Sequence, residues 1–295
     1  MFSKKILVTG ASGLLGYNLC RALFDKGYQN VLGQFYQSEN KPNFILNKAV
    51  NLTDPLTTKT LITHFSPDVI INCAALTKVD LCETNQQLAF SVNSKSCENL
   101  ISGSNHQSTR IIHISTDQLW DGTQKMVTEE TKPSPLNIYG LSKLAGENNI
   151  TQHLNHLILR TNFFGGDLLW RQSFIGWLDS QFQKNISFFG FEDVFYTPIG
   201  ITSLIDIIIQ MIPQTITGIY HAGGAQRLSK YEFATLYAKA KGYNDALINK
   251  AFVKESNLQA NRPTEMSLDS SKLESVLNIT LPNIEESFSR LLIQQ

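Results

Sequence analysis

The 295-residue sequence is short of most features that assign a chemistry at a glance. It has four cysteines, Cys20, Cys73, Cys82 and Cys97, and no two form a CxxC pair. They all fall in the first hundred residues, within apolar or helical patterns, so buried reduced thiols are expected rather than a disulfide framework. Neither sign of charge dominates, since Lys plus Arg and Asp plus Glu each number 25. No basic block of five residues occurs, which removes electrostatic support for a nucleic-acid or anionic-membrane partner. There is no GxSxG, so a serine hydrolase has no basis. The longest apolar-rich run, 199–212, carries Asp206 and Gln210 and falls short of the ~18 apolar residues of a membrane span. The opening "MFSKKILVTGASGLLGYNL" has the lysines of a signal peptide, but glycines break the apolar segment early. A strand and turn are expected there, in a cytoplasmic protein. His153 and His156 have no companion acid or thiol pattern, so no metal is expected, and both are read as exposed residues between a helix and a strand.

What is present is alternation. "KILVT" (5–9), "NVLGQFY" (30–36), "DVIINCAA" (68–75), "RIIHIST" (110–116) and "HLILRT" (156–161) read as buried strands separated by helical stretches, including a long helix over 86–102. This argues for an α/β fold, a Rossmann-like doubly wound parallel sheet with helices on both faces. Ligands of such sheets lie outside the carboxyl ends of the strands, where Thr9, Ala74, Thr116 and Thr161 fall. After about residue 163 the pattern loosens into an aromatic segment (177–196), an apolar helix near 202–212, a strand "GIYHAG" and a helix over 229–242.

"VTGASGLLG" sets Gly10, Gly13 and Gly16 between a strand and a helix. Glycines there permit a tight turn and close approach of backbone to a pyrophosphate at a helix N-terminus, so Gly10, Ser12, Gly13, Leu14, Leu15 and Gly16 are candidates for binding a dinucleotide. The end of the second strand, "FYQSENK", offers uncharged Tyr36, Gln37 and Ser38, and Glu39 comes late for a ribose-binding acid. Ser38 and Lys41 can meet a 2′-phosphate, so NADP(H) is preferred, with NAD(H) left open. The expected division is a dinucleotide-binding domain over 1–163, to which 196–221 return, and a smaller α/β substrate lobe from 164–195 and 222–295 at the mouth of the sheet.

Two tyrosines precede a lysine by four residues: Tyr139–Lys143 and Tyr237–Lys241. On a helix either spacing puts both side chains on one face. A lysine beside a tyrosine favours phenolate and eases proton exchange. Only Tyr139 follows a strand end with hydroxyls, Ser115 and Thr116, that can orient a substrate oxygen. Tyr237 is read as packing and Lys241 as a helix C-terminal charge. His113, mid-strand, is read as a core histidine.

In order along the chain, "VTGASGLLG", "NCAALTKVDLCE", "HISTDQLWDG", "YGLSKLAGE", "LRTNFFG", "GIYHAGG" and "RPTEMSLD" resemble the extended short-chain dehydrogenase/reductases, and among them the dTDP-4-dehydrorhamnose reductase group. The resemblance implies an NADPH-dependent oxidoreductase acting on a nucleotide-activated 4-keto-6-deoxy sugar for cell-surface polysaccharide. It implies Tyr139 as proton donor, Lys143 on the nicotinamide ribose and Thr116 on the substrate carbonyl. It further implies cofactor contacts at Tyr36, Ser38, Asn51, Leu52, Ala74, Ala75, Thr77, Asn93 and Asn162. Substrate contacts are implied at Ser115, Thr116, Asp117, Phe163 and Arg262, and a homodimer is left open. Departures fall in the substrate half: Gln118 for an aromatic residue, and Glu265 and Met266 for Asn and Ser. Two alternatives stand beside the reductase. One is an epimerase or dehydratase that retains its nicotinamide; the other is a non-catalytic subunit like the methionine adenosyltransferase β subunit.

Overall fold

In the computed structural model, which describes residues 3–293, the apolar runs become buried strands, joined by one polar strand at the edge. These are β1 (Ile6–Thr9), β2 (Val31–Phe35), β3 (Leu46–Ala49), β4 (Val69–Asn72), β5 (Arg110–Ile114) and β6 (His156–Thr161). With the strand Gly218–Ala222 they form one seven-stranded sheet, in the order Gly218–Ala222, β6, β5, β4, β1, β2, β3. Ile6 of β1 stands opposite Val31 of β2 on one side and Val69 of β4 on the other, both pairings parallel. The chain order therefore reverses beside β1, and the crevice this opens is where doubly wound sheets take ligands. Ile6, Leu7, Val8, Ile70, Ile71, Ile111 and Ile112 are fully buried, each contributing about 1.5–3 kcal/mol of apolar burial.

The strands alternate with α1 (Leu14–Asp25), α2 (Pro55–Phe65), α3 (Val79–Thr84), α4 (Gln86–Phe90), α5 (Ser96–Gly103) and α6 (Ile138–Ile150). Two elements fall outside the expected ones. β3, "LNKA", is a polar edge strand with largely exposed side chains, so no apolar pattern announces it. α2 starts where Asp54 accepts a hydrogen bond from the Thr57 N–H (2.9 Å) before Pro55 and stops at Ser66 in the left-handed region. The helix expected over 86–102 is present as one continuous run, in which a π-helical turn at Ser91–Lys95 joins α4 to α5 with right-handed helical backbone at both junctions. That wide turn turns Asn93 into the interior. A Cβ at Gly146 of α6 would lie 2.2 Å from the Asn93 carbonyl oxygen, so glycine lets α6 close on the turn.

The chain divides into two units. The first takes the described residues through Thr116, Asn137–Leu159 and Ile205–Ile219; the second takes Asp117–Leu136, Arg160–Leu204 and the described residues from Tyr220 on. The second unit is built of short strands and helices around an aromatic core. Phe233 meets Phe164 and Phe288 edge-on at 5.0 and 5.3 Å between ring centres. Its helix Lys230–Lys241 carries a capping box between Ser229 and Glu232 and ends at Gly242, φ +71°.

His153 corrects one expectation: it is fully buried, stacked at 4.7 Å on His106, and burial followed by that neighbour pushes its pKa down to about 4. All four cysteines are free thiols, with Cys20, Cys82 and Cys97 buried. No described helix is long and apolar enough to cross a membrane.

Candidate active site

In the first unit the glycine turn occupies the crevice beside β1. Gly10 has φ +64°, and a Cβ on it would lie 2.9 Å from the Ala74 backbone, just past the end of β4. A Cβ on Gly16 would lie 2.3 Å from the Gly10 oxygen. α1 opens on Gly13 with no side-chain cap and no acid in its first turn, leaving its positive end to an anion. Ser12 and Leu14 are half-buried there and Leu15 is buried. This cradle, which side chains would fill, fits a dinucleotide pyrophosphate.

Sequence reasoning missed the residue that holds the turn. Gln34 of β2 is buried; its Oε1 accepts from the Gly10 N–H (3.0 Å), and its Nε2 donates to the Val50 and Phe35 carbonyls (2.7 and 3.0 Å). A glutamine within an apolar strand was the available signal.

Beyond β2, Tyr36 is exposed, and Ser38 folds back on Asn40, donating to its carbonyl at 2.8 Å. The Lys41 Nζ stands 5.0 Å from the Phe35 ring centre. Asn51 Oδ1 accepts from the Thr53 N–H and hydroxyl, and the Leu52 carbonyl accepts from Thr58 and Asn99. Ala75 is half-buried and Thr77 exposed. Asn93 is buried; its amide bonds both the N–H and the carbonyl of Leu76 and the Ser142 hydroxyl, tying the loop after β4 to α6.

β5 delivers the hydroxyls. The Ser115 N–H donates to the Leu159 carbonyl (2.7 Å), while its buried Oγ has no hydrogen-bond partner, and Thr116 beside it is also buried. α6 delivers the tyrosine and lysine. Its start is fixed by Asn137, which accepts from the Gly140 N–H, and by Glu83, which accepts from the Ile138 N–H. Tyr139 is buried with Cys82 and Ala89. The Lys143 Nζ donates to the Ile114 carbonyl (2.7 Å) and lies 3.5 Å from His113 Nε2. Burial lowers the Lys143 pKa, while Cys97, Glu147 and Cys73 favour its charged form. The rival Tyr237 is buried too, but its hydroxyl donates to Asp179 (2.8 Å), and burial with that acid pushes its pKa far up.

The second unit contains a cavity of about 440 Å³ walled by aromatic side chains, among them Phe174, Trp177, Phe188 and Phe191. Of the expected site residues, Arg262 from the substrate set and Asn162 from the cofactor set line it, as does Gln118. Asp117 is buried and accepts from the Asn162 amide (2.6 Å). Phe163 is half-buried and pairs with Ile199 in a short parallel ladder. Lys230 also lines the cavity, and sequence reasoning missed it. Its Nζ sits 3.3 Å from the Tyr196 ring centre, and burial pulls its pKa down to about 8 against the pull of Asp117. The departure at Glu265 has a structural reason: it accepts from the Arg227 guanidinium, which lies 3.7 Å from the Phe195 ring centre.

The sequence pattern of the RmlD substrate binding domain family matches residues 4–295. A probable low-salt glycan biosynthesis reductase, Agl14, from Haloferax volcanii is 29% identical over 96% of each chain. The methionine adenosyltransferase 2 subunit beta of Xenopus laevis is 32% identical over 93% of this chain and 83% of its own. The crystal structure of a hypothetical dTDP-4-dehydrorhamnose reductase from Sulfolobus tokodaii superposes with a TM-score of 0.84 at 31% identity, covering 95% of this chain and 97% of that one.

Proposed function

The chain belongs to the RmlD substrate binding domain family, and on that premise we propose that it is an NADPH-dependent reductase of a nucleotide-activated 4-keto-6-deoxy sugar. The observation that supports the reading is that the first unit buries Thr116, Tyr139 and Lys143 and also holds a glycine cradle that side chains would fill. The family relatives support a sugar-nucleotide reductase, and the glycan biosynthesis reductase supports a product destined for surface polysaccharide. Four free thiols suit a reducing cytoplasm.

Gly10, Gly13 and Gly16, with the N-terminus of α1, hold the pyrophosphate. Ser38 and Lys41 take the 2′-phosphate, which sets NADP(H) ahead of NAD(H). The bound nicotinamide supplies hydride to C4. The Thr116 hydroxyl, with the unpartnered Ser115 Oγ, orients the ketone oxygen. Tyr139 gives that oxygen its phenolic proton, and Lys143 lowers the barrier to this loss by favouring phenolate. In the second unit Lys230 and Arg262 hold the anionic diphosphate, and the aromatic walls take the nucleotide's flat surfaces. The test is oxidation of NADPH in the presence of a panel of nucleotide 4-keto-6-deoxy sugars; equal turnover by wild type and Tyr139→Phe would remove Tyr139 from its role.

A second reading is favoured by the 32% identity to a methionine adenosyltransferase subunit: a non-catalytic partner of a synthetase. Retention on a methionine adenosyltransferase catalytic subunit, with no NADPH oxidation on any sugar, would select it over the reductase.

A further inference from the structure

A line of buried polar groups crosses the centre of the first unit and ends on Lys143. It runs Thr9 on β1, Asn72 on β4, His113 on β5 and Lys143 on α6; the first three are fully buried and Lys143 is 2% exposed. None but Lys143 belongs to the catalytic set above, and His113 is the one other titratable side chain along the line.

The hydrogen bonds fix which atom carries each proton. The Ala74 N–H points at both Thr9 Oγ1 and Asn72 Oδ1, each at 3.3 Å, and a backbone N–H can only donate. The Thr9 hydroxyl donates to the same Asn72 oxygen at 2.6 Å. Two donors on that atom fix it as the amide oxygen, so the amide nitrogen faces the other way. There it meets Cys97 Sγ at 3.5 Å and His113 Nδ1 at 3.0 Å. The Cys97 thiol gives its own proton to the Asn93 carbonyl at 3.3 Å, which leaves its sulfur to accept. His113 Nδ1 is therefore an acceptor, and the single proton of the neutral ring sits on Nε2. Burial, then Lys143, hold the His113 pKa well below its usual value, so the ring is neutral.

His113 Nε2 lies 3.5 Å from Lys143 Nζ. We propose that His113 is a positioning residue for Lys143: held by Asn72 as the Nε2–H tautomer, it aims an N–H at the lysine nitrogen and eases loss of the lysine's proton. An ammonium would set two donors face to face across that gap. A neutral amine accepts the His113 N–H and still donates to the Ile114 carbonyl, 2.7 Å away. The other groups facing Lys143 act the opposite way: Cys97 from α5, Glu147 one turn along α6, and Cys73 after β4. Both thiols are held protonated by burial, Cys73 up to about 12, so at neutral pH Glu147 is the group that favours the cation. Lys143 is thereby poised between a buried acid and a directed N–H. It can give up its proton rather than remain a fixed charge. The inference rests on the reductase reading for the part Lys143 plays, but not for the protonation state it describes.

The test is nitrogen-15 NMR of the full chain labelled in histidine and lysine, with sequence-specific assignment. In wild type His113 is expected neutral, with a pyrrole-like Nε2 and pyridine-like Nδ1, from about pH 5 to 9. In His113→Phe the Lys143 Nζ titration should move up by about one pH unit. An Nδ1–H tautomer, an imidazolium at neutral pH, or an unmoved Lys143 in folded His113→Phe would overturn the proposal. If that variant does not fold, the wild-type tautomer alone decides. A protein with Nε2–H on His113 that oxidises NADPH on no sugar would remove the reductase reading and still support this one.

Discussion

Helix α6 and the helix Lys230–Lys241 carry the same Tyr-x-x-x-Lys spacing, and both tyrosines are buried. Their neighbours differ. Tyr237 meets a carboxylate, Asp179, which accepts its proton's hydrogen bond and also that of Tyr243 (3.1 Å). An anion beside a phenol keeps the proton on. Lys241 lies in the last turn of its helix, half-buried, with its Nζ 6.0 Å from the Tyr243 ring centre. Lys143 is buried, donates to the Ile114 carbonyl at the end of β5, and shares its helix face with Tyr139. The comparison teaches that spacing places two groups on one face, while the groups opposite decide whether a proton can move.

The largest test of that contrast is to remove each hydroxyl in turn. Tyr139→Phe should lower kcat by roughly 10²–10⁴-fold, as loss of a general acid does, with Tyr237→Phe at the wild-type rate. Equal losses would make the two helices equivalent. Next is the close packing of α6. Gly146→Ala puts a Cβ 2.2 Å from the Asn93 carbonyl oxygen and should destabilise the protein by ~1–3 kcal/mol in a urea titration. Lys239→Ala, exposed on the other helix, should leave the midpoint nearly unchanged.

The other helix has its own charge in play at its first residue. The Lys230 pKa lies near about 8, below that of a free lysine, so its cation is present at lower pH and is lost as pH rises through that value. If it holds the diphosphate, KM for the sugar nucleotide should climb roughly tenfold across that range with kcat steady, and Lys230→Met should abolish the dependence. A flat KM in wild type would leave Lys230 to packing on Tyr196. The smallest effect is expected from Tyr237→Phe, about 1 kcal/mol of stability, since Asp179 keeps the Tyr243 hydroxyl as a donor.

Much of the first unit was legible because its signals are local. A strand, three glycines and a helix follow one another within twenty residues, and Tyr139 and Lys143 share one helix. What escaped was set by contacts distant in sequence. β3 is polar because it lies at an edge, and the turn at Ser91–Lys95 is π-helical where Asn93 must reach Leu76 and Ser142. His153 looked like a surface residue between two elements, yet its ring is buried against His106. Gln34 and Lys230 gain meaning from Gly10 and Tyr196, each more than twenty residues away.

Gln34 carries a consequence for anyone who would redesign coenzyme preference. Its amide fastens the glycine turn to two carbonyls at once. An aspartate or glutamate written there to favour a different ribose would lose both donations and loosen the turn it was meant to serve. The largely exposed stretch from Tyr36 to Lys41 makes no such bond to the turn, so on the proposed cofactor contacts selectivity would be rewritten there without disturbing the glycines. On that proposal, which coenzyme is chosen and how firmly its phosphates are seated become separate design variables, two residues apart.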